Sequence, residues 1–386
     1  MMRYKEAAIL RRNKSVMKIL YVTTIGSTMD FFKSFIRILI NEGHTVDIAT
    51  NEKEGEVSSY FRDMGCKVYP ISCSRSPLKK GNLYAIKQIK DILIEERYDI
   101  VHCHTPIAAS CTRIACSRLR KKGIKVIYTA HGFHFYKGAP LLNWLLYYPI
   151  EILCSRWTDA LITINQEDYV LAKRKMRTQN VFYIPGVGID VDKFTNTVID
   201  RDKKRAEIGV PENAFLLLSV GELNKNKNHQ IVIKALEKTG NKNIHYAIAG
   251  KGNNKEFLEQ LAKQLGVSEQ VHFLGYRNDV AELYKTADAY ILPSIREGLN
   301  VSVMEALASG LLCIVSKIRG NVDMITDGVN GYYINPFDSS TVADSLNKTV
   351  AAPKNENISQ YANKFNHVEI NKKILAVYGL VTGNSI

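Results

Sequence analysis

Two acids, Glu297 and Glu305, stand in the stretch SIREGLNVSVMEALASG (residues 294–310), which is otherwise mostly apolar. The strand-like run AYILP ends at Pro293, and helical spacing begins near Asn300. Glu297 therefore precedes the helix, and Glu305 lies well under two turns inside it at ~1.5 Å per residue. The free amides of a helix start favour an anion, ideally a diphosphate. A carboxylate on each side of that anion can accept hydrogen bonds from hydroxyls. Glu305 suits the vicinal hydroxyls of a ribose, and Glu297 suits those of a sugar at the other end. The pattern fits a nucleotide diphosphate sugar, although an ordinary strand, loop and amphipathic helix with solvated glutamates has the same spacing.

The elements that must position these acids alternate along the chain. KILYVTT from residue 18 is strand-like, and FFKSFIRILINEG after it has apolar residues at helical spacing with Gly43 as a stop. TVDIAT, DIVHCH, KVIYTAH and DALITIN repeat the strand signal, with helical stretches between them. This is β/α alternation, and it predicts a parallel sheet covered by helices on both faces. Pro185, Gly186 and Gly188 interrupt it in YIPGVGIDVDKF, and it resumes with FLLLSVGE, IHYAIAG, VHFLG, DAYILPS and LCIVSK. The expected fold class is α/β: two Rossmann-like, doubly wound parallel-sheet domains facing a cleft. Such sheets bind ligands beyond the carboxyl ends of their strands. The expected division is an extension at 1–16, a first domain at 17–190 and a second at 191–365, with a final helix from about 366 to 386 crossing back onto the first.

A chain of 386 residues suits two domains of this kind. No stretch reaches the ~18 uninterrupted apolar residues of a spanning helix. The net charge is +14 and is lopsided: residues 1–190 hold 29 basic against 17 acidic side chains, whereas residues 191–386 hold 23 against 21. A one-sided basic field suits an anionic partner, and it also serves plain solubility. Seven cysteines without a C-x-x-C pair fit a reduced, cytosolic compartment.

In its ordered motifs the chain resembles the retaining glycosyltransferases of family 4, which have the GT-B fold. PSIREGLNVSVMEALASG carries the resemblance, preceded by AGKGN, VHFLG and ADAYILPS and followed by TDGVNGYYINPFD. The resemblance implies that Glu297 meets the donor sugar, that Glu305 binds ribose, and that the amides of Gly298, Leu299, Asn300 and Val301 meet sugar and phosphate. It places Gly221, Glu222, Lys225 and Lys227 of SVGELNKNKNH at the diphosphate, with Lys227 as the clamp and Glu222 where relatives carry arginine. A carboxylate there repels phosphate, so Lys225 or Arg319 is a candidate for the second cation. Gly250 and Arg277 join the donor-binding set, as does Gly26 in the loop after the first strand. His131 of TAHGFHF matches the histidine-glycine loop and is expected to face the sugar. His131, Glu297 and Lys227 form the catalytic set, with no metal and no cofactor.

The first-domain pattern, particularly TAHGFHFYKGAPLLNWLLYYPIE, looks like bacterial enzymes of capsular and exopolysaccharide assembly. The implied partners are a nucleotide sugar, usually a UDP-sugar, and a polyprenyl-diphosphate-linked saccharide. The apolar segment 139–157, beside basic runs such as RLRKKGIK, suits peripheral contact with an anionic membrane at its inner, cytoplasmic face. Nucleic acid is not an expected partner. Donor binding is expected to close the cleft. A catalytically silent partner subunit and a UDP-sugar epimerase are the alternatives of the same architecture. Three motifs read as decoys: DVD at 190–192 imitates a metal motif, HCH at 102–104 shows no third ligand in sequence, and GKGNNK lacks the last glycine of a dinucleotide fingerprint.

Overall fold

The strands lie in two separate parallel sheets, one in each of two units of a computed structural model that describes residues 16–353 and 355–383. The first unit runs to Val187 and takes in Ile370 onward; the second is Gly188–Glu369. The division thus falls at 187/188 and 369/370, a few residues from the expected 190/191 and 365/366. The expected extension lies outside the described residues up to position 15, as do residues 384–386.

In the first unit the strands are β1 (Lys18–Ile25), β2 (Thr45–Asn51), β3 (Val68–Pro70), β4 (Ile100–His104), β5 (Lys125–Ala130), β6 (Ala160–Thr163) and β7 (Asn180–Tyr183). Their spatial order is β3-β2-β1-β4-β5-β6-β7, every pairing parallel. In the second unit β8 (Phe215–Val220), β9 (Ile244–Ala249), β10 (Val271–Gly275), β11 (Ala289–Leu292), β12 (Leu312–Ser316) and β13 (Gly331–Ile334) make a parallel sheet of order β10-β9-β8-β11-β12-β13. Helices cover both faces of such sheets, so strands read as continuous apolar runs; β4, β6, β9 and β11 are buried along their whole length. The order reverses between β1 and β4 and between β8 and β11. Beside each reversal a crevice opens at the carboxyl ends of the strands.

The final helix, His367–Thr382, places Ile370, Val377, Tyr378 and Val381 in the first unit's core beside Tyr21, Phe35 and Ile100. Tyr378 donates its hydroxyl proton to the Tyr21 hydroxyl at 3.2 Å and pairs with His102 Nδ1 at 2.8 Å. These buried polar contacts fix where the helix sits on the sheet.

The helix Leu141–Ser155 is held differently. Glu151 on it meets Arg113 of the helix Pro106–Cys116 at 2.8 Å, with the side chains 5% and 1% exposed. The Arg113 guanidinium lies 4.2 Å over the Tyr128 ring, and Tyr128 donates to Glu151 at 3.3 Å. Anchored on that side, the helix turns Leu141, Leu142 and Leu145 outward, 81%, 63% and 73% exposed. Among the described residues no helix is long and apolar enough to cross a membrane.

Removing one partner of a buried pair strands the other charge. Glu151→Ala is expected to destabilise the protein by about 3–5 kcal/mol in urea unfolding. Combining Glu151→Leu with Arg113→Met should recover most of that loss.

Candidate active site

The site is assembled at the reversal in the second sheet, where the loops leaving β8 and β11 lie side by side. After β8 the chain reads GELNKNKNH, and the alternating asparagines explain its shape. Asn224 Oδ1 accepts the Lys227 amide at 2.9 Å, and Asn226 Nδ2 donates to the Arg296 carbonyl at 2.9 Å. The Ile295 amide returns a bond to the Asn226 carbonyl at 2.9 Å. Asn228 adopts φ 56°, which asparagine tolerates better than most residues, and its amide reaches the carbonyls of Pro293 and Pro336 at 3.2 and 2.7 Å. The sequence reading passed over these three asparagines; their signal was strict alternation with lysine.

The two loops carry the charges. Lys227 Nζ meets Glu297 Oε1 at 2.8 Å, with both side chains largely buried. The clamp lysine and the donor-sugar glutamate implied by the resemblance are thus direct partners, a contact the spacing of the two motifs did not show. Gly221, at φ 157°, has room for no side chain to spare, because a Cβ there would lie 3.3 Å from Lys227 Cε. Gly250 is required by backbone packing, since its Cβ would fall 1.8 Å from the Gly221 carbonyl oxygen. Glu222 is exposed and accepts a bond from Asn224 Nδ2 at 2.6 Å, while Lys225 is exposed one position on. Arg319 precedes Gly320, whose Cβ would lie 2.0 Å from the Gly298 oxygen, so this loop abuts the Glu297 loop.

The helix after the second loop begins at Val301 rather than at Asn300, which is its N-cap and accepts the Ser302 amide at 2.9 Å. Among the described residues no protein acceptor is recorded for the amides of Gly298, Leu299, Asn300 and Val301. One turn on, Glu305 accepts the Tyr284 hydroxyl at 3.0 Å. Burial pushes its carboxyl up to about 7, against the opposing pull of that hydrogen bond.

Arg277 follows β10, the edge strand farthest on its side from the reversal, and its guanidinium is paired with Asp279 and Glu207. Asp190 of the DVD decoy caps the helix Val191–Asn196 by accepting the Lys193 amide.

In the first unit, Gly26 follows β1 and is needed because a Cβ there would lie 2.3 Å from the Gly55 oxygen. His131 follows β5, and the Phe133 amide beyond it donates to Asp168 at 2.9 Å, shaping the histidine-glycine loop. His131 Nε2 lies 3.1 Å from His104 Nδ1, and the His102 and His104 rings are 4.2 Å apart. HCH thus gains a third imidazole from a neighbouring strand end, which sequence spacing did not show. Burial lowers His102 to about 3 and His131 to about 4, so these rings are neutral at physiological pH.

Residues 200–365 match the family of glycosyl transferases group 1, and residues 18–165 match the glycosyl transferase 4-like family. The chain is 37% identical over 349 residues to the putative glycosyltransferase EpsD of Bacillus subtilis, covering 87% of this chain and 88% of the relative. The chain belongs to the family 4 glycosyltransferases. This glycosyltransferase is also 28% identical, over 80% of its length and 81% of the relative's, to the UDP-Gal:alpha-D-GlcNAc-diphosphoundecaprenol alpha-1,3-galactosyltransferase of Escherichia coli. Its GT-B fold matches that of Anabaena Alr3699/HepE in complex with UDP, with a TM-score of 0.78 and 20% identity over 94% of this chain and 100% of the other.

The raised Glu305 carboxyl makes a stability prediction for the glycosyltransferase. Its unfolded value is near 4.5 and its folded value near 7, so the folded state binds the proton more tightly. Stability from this group is present below about 4.5 and is lost as pH rises to 7. Glu305→Gln should therefore be more stable than the parent at pH 8, by roughly 1–3 kcal/mol. The gap should close toward pH 4.5, as read by denaturant melts across that range.

Proposed function

We propose that this glycosyltransferase moves a hexosyl or N-acetylhexosaminyl group from a nucleotide sugar, most simply a UDP-sugar, to a polyprenyl-diphosphate-linked saccharide in capsule or exopolysaccharide assembly. The observation that carries the reading is the reversal in the second sheet, where Lys227 meets Glu297 just before the start of the helix that carries Glu305. The Escherichia coli relative's name specifies UDP-Gal and a diphosphoundecaprenol-linked sugar, and the Anabaena structure contains UDP; both support this donor and acceptor.

In this reading the diphosphate takes Lys227 from Glu297. Glu297, released, accepts bonds from the sugar hydroxyls, and Glu305 accepts both ribose hydroxyls. As the bond from the anomeric carbon to the diphosphate oxygen breaks, the helix-start amides and Lys227 stabilise the leaving charge without a metal. The acceptor oxygen bonds to the same face of the sugar and passes its proton to the departing phosphate, so the configuration is retained. His131 donates a hydrogen bond to the sugar. The outward leucines at 141, 142 and 145, with the basic first unit, rest on the anionic inner leaflet that holds the acceptor.

Incubation of a UDP-sugar panel with undecaprenyl-diphosphate-linked saccharide should release UDP in the presence of EDTA; no release with any donor overturns the assignment. Calorimetry should show Glu305→Ala weakening UDP binding by roughly 1–3 kcal/mol. Affinity in the parent should rise with pH through about 7, because ribose hydroxyls bond the ionised carboxylate. Sedimentation with anionic vesicles should be lost in high salt, and absence of sedimentation at low salt removes the membrane contact.

A further inference from the structure

Three imidazoles form a row at the strand ends of the first unit, and their hydrogen bonds determine which face of His131 carries a proton. His102 is satisfied at both nitrogens, by Tyr378 at Nδ1 and by the Thr129 hydroxyl at Nε2, each at 2.8 Å. His104 is not: Nδ1 lies 3.1 Å from His131 Nε2, and Nε2 is buried without a partner. The ring is 2% exposed. It is enclosed by Tyr21, Phe32 and His102 at centroid distances of 5.4, 4.2 and 4.2 Å.

A neutral imidazole has one N–H. If His104 carried it on Nε2, a buried donor would have no acceptor, and orphaned buried N–H groups are rarer than under-used acceptors. An aromatic face would rescue such a donor only from a nearly perpendicular ring. The three neighbouring rings lie at 16°, 34° and 36° to His104. The proton therefore belongs on His104 Nδ1 and is donated to His131 Nε2. His131, also neutral, must then carry its own proton on Nδ1. That edge is bonded to no protein group among the described residues, and His131 is partly exposed.

We propose that His104 is a positioning residue that locks His131 as an Nδ1–H donor, so that His131 offers a ligand a hydrogen bond and does not accept a proton. The inference rests on the reading above that His131 meets the sugar, but the tautomer itself is a property of the free enzyme. With its basic nitrogen turned inward to His104, His131 leaves the acceptor's proton to the departing phosphate.

The test is long-range proton–nitrogen NMR on enzyme labelled with [15N]histidine, with the His131 signals assigned by their loss in His131→Ala. The expected spectrum shows His131 protonated at Nδ1 and bare at Nε2; an Nε2–H tautomer overturns the proposal. In His104→Leu the Nδ1–H preference should be lost and kcat should fall by about tenfold or more, with UDP affinity unchanged. His104→Asn, whose side-chain amide can replace the Nδ1–H donor, should restore both the tautomer and most of kcat. An asparagine variant as impaired as the leucine one, or a leucine variant with a shifted tautomer and full kcat, overturns the positioning role. Because the spectrum is read without substrate, failure of the donor or acceptor assignment leaves it intact and distinguishable.

Discussion

Parallel strands buried on both faces have nowhere to place polar chemistry except at their ends. In each sheet of this protein the strand order reverses once, and ligand crevices of such sheets lie at the strand ends beside that reversal. The order β10-β9-β8-β11-β12-β13 is therefore what brings residues about seventy positions apart, Lys227 and Glu297, to 2.8 Å. The glycines nearby serve the same constraint. Gly250 lets β9 turn against the Gly221 carbonyl, and Gly320 lets its loop back onto Gly298.

The charges at this crevice are paired or buried one by one. Lys227 neutralises Glu297, which lowers the cost of keeping either charge largely buried. Glu222 is exposed and bonded to Asn224, so its charge is directed to solvent as well as to the loop. Glu305 is kept less acidic by burial, and its Tyr284 bond leaves carboxylate lone pairs free. Burying this carboxyl costs stability at neutral pH, where its ionised form is disfavoured.

The first unit solves a different problem. Burial lowers the pKa of His102, His104 and His131, so the chemistry of this row is hydrogen-bond direction instead of charge. The same row reaches the final helix through Tyr378, tying that helix to the strand that carries His102 and His104.

Much was legible in the chain itself. Apolar runs alternating with helical periodicity dictated two parallel sheets, because only helices on both faces can bury such strands. The ordered motifs around Glu297 and Glu305 identified the family, since strand-end loops carry the residues a ligand requires. Local spacing also marked the helix start to within one residue, Asn300 serving as its cap. What needed the tertiary structure was every relation between residues distant in sequence. The carboxylate partners of Arg277, Asp279 close by in sequence and Glu207 seventy positions away, were not marked by its motif. HCH showed two imidazoles until the neighbouring strand end supplied His131, and the clamp lysine Lys227 and the sugar-side Glu297 stood in separate motifs until the reversal paired them. Periodicity is encoded locally by which side chains must be buried, whereas the partner of a charge or a ring nitrogen depends on which strand ends become neighbours, and strand order decides that.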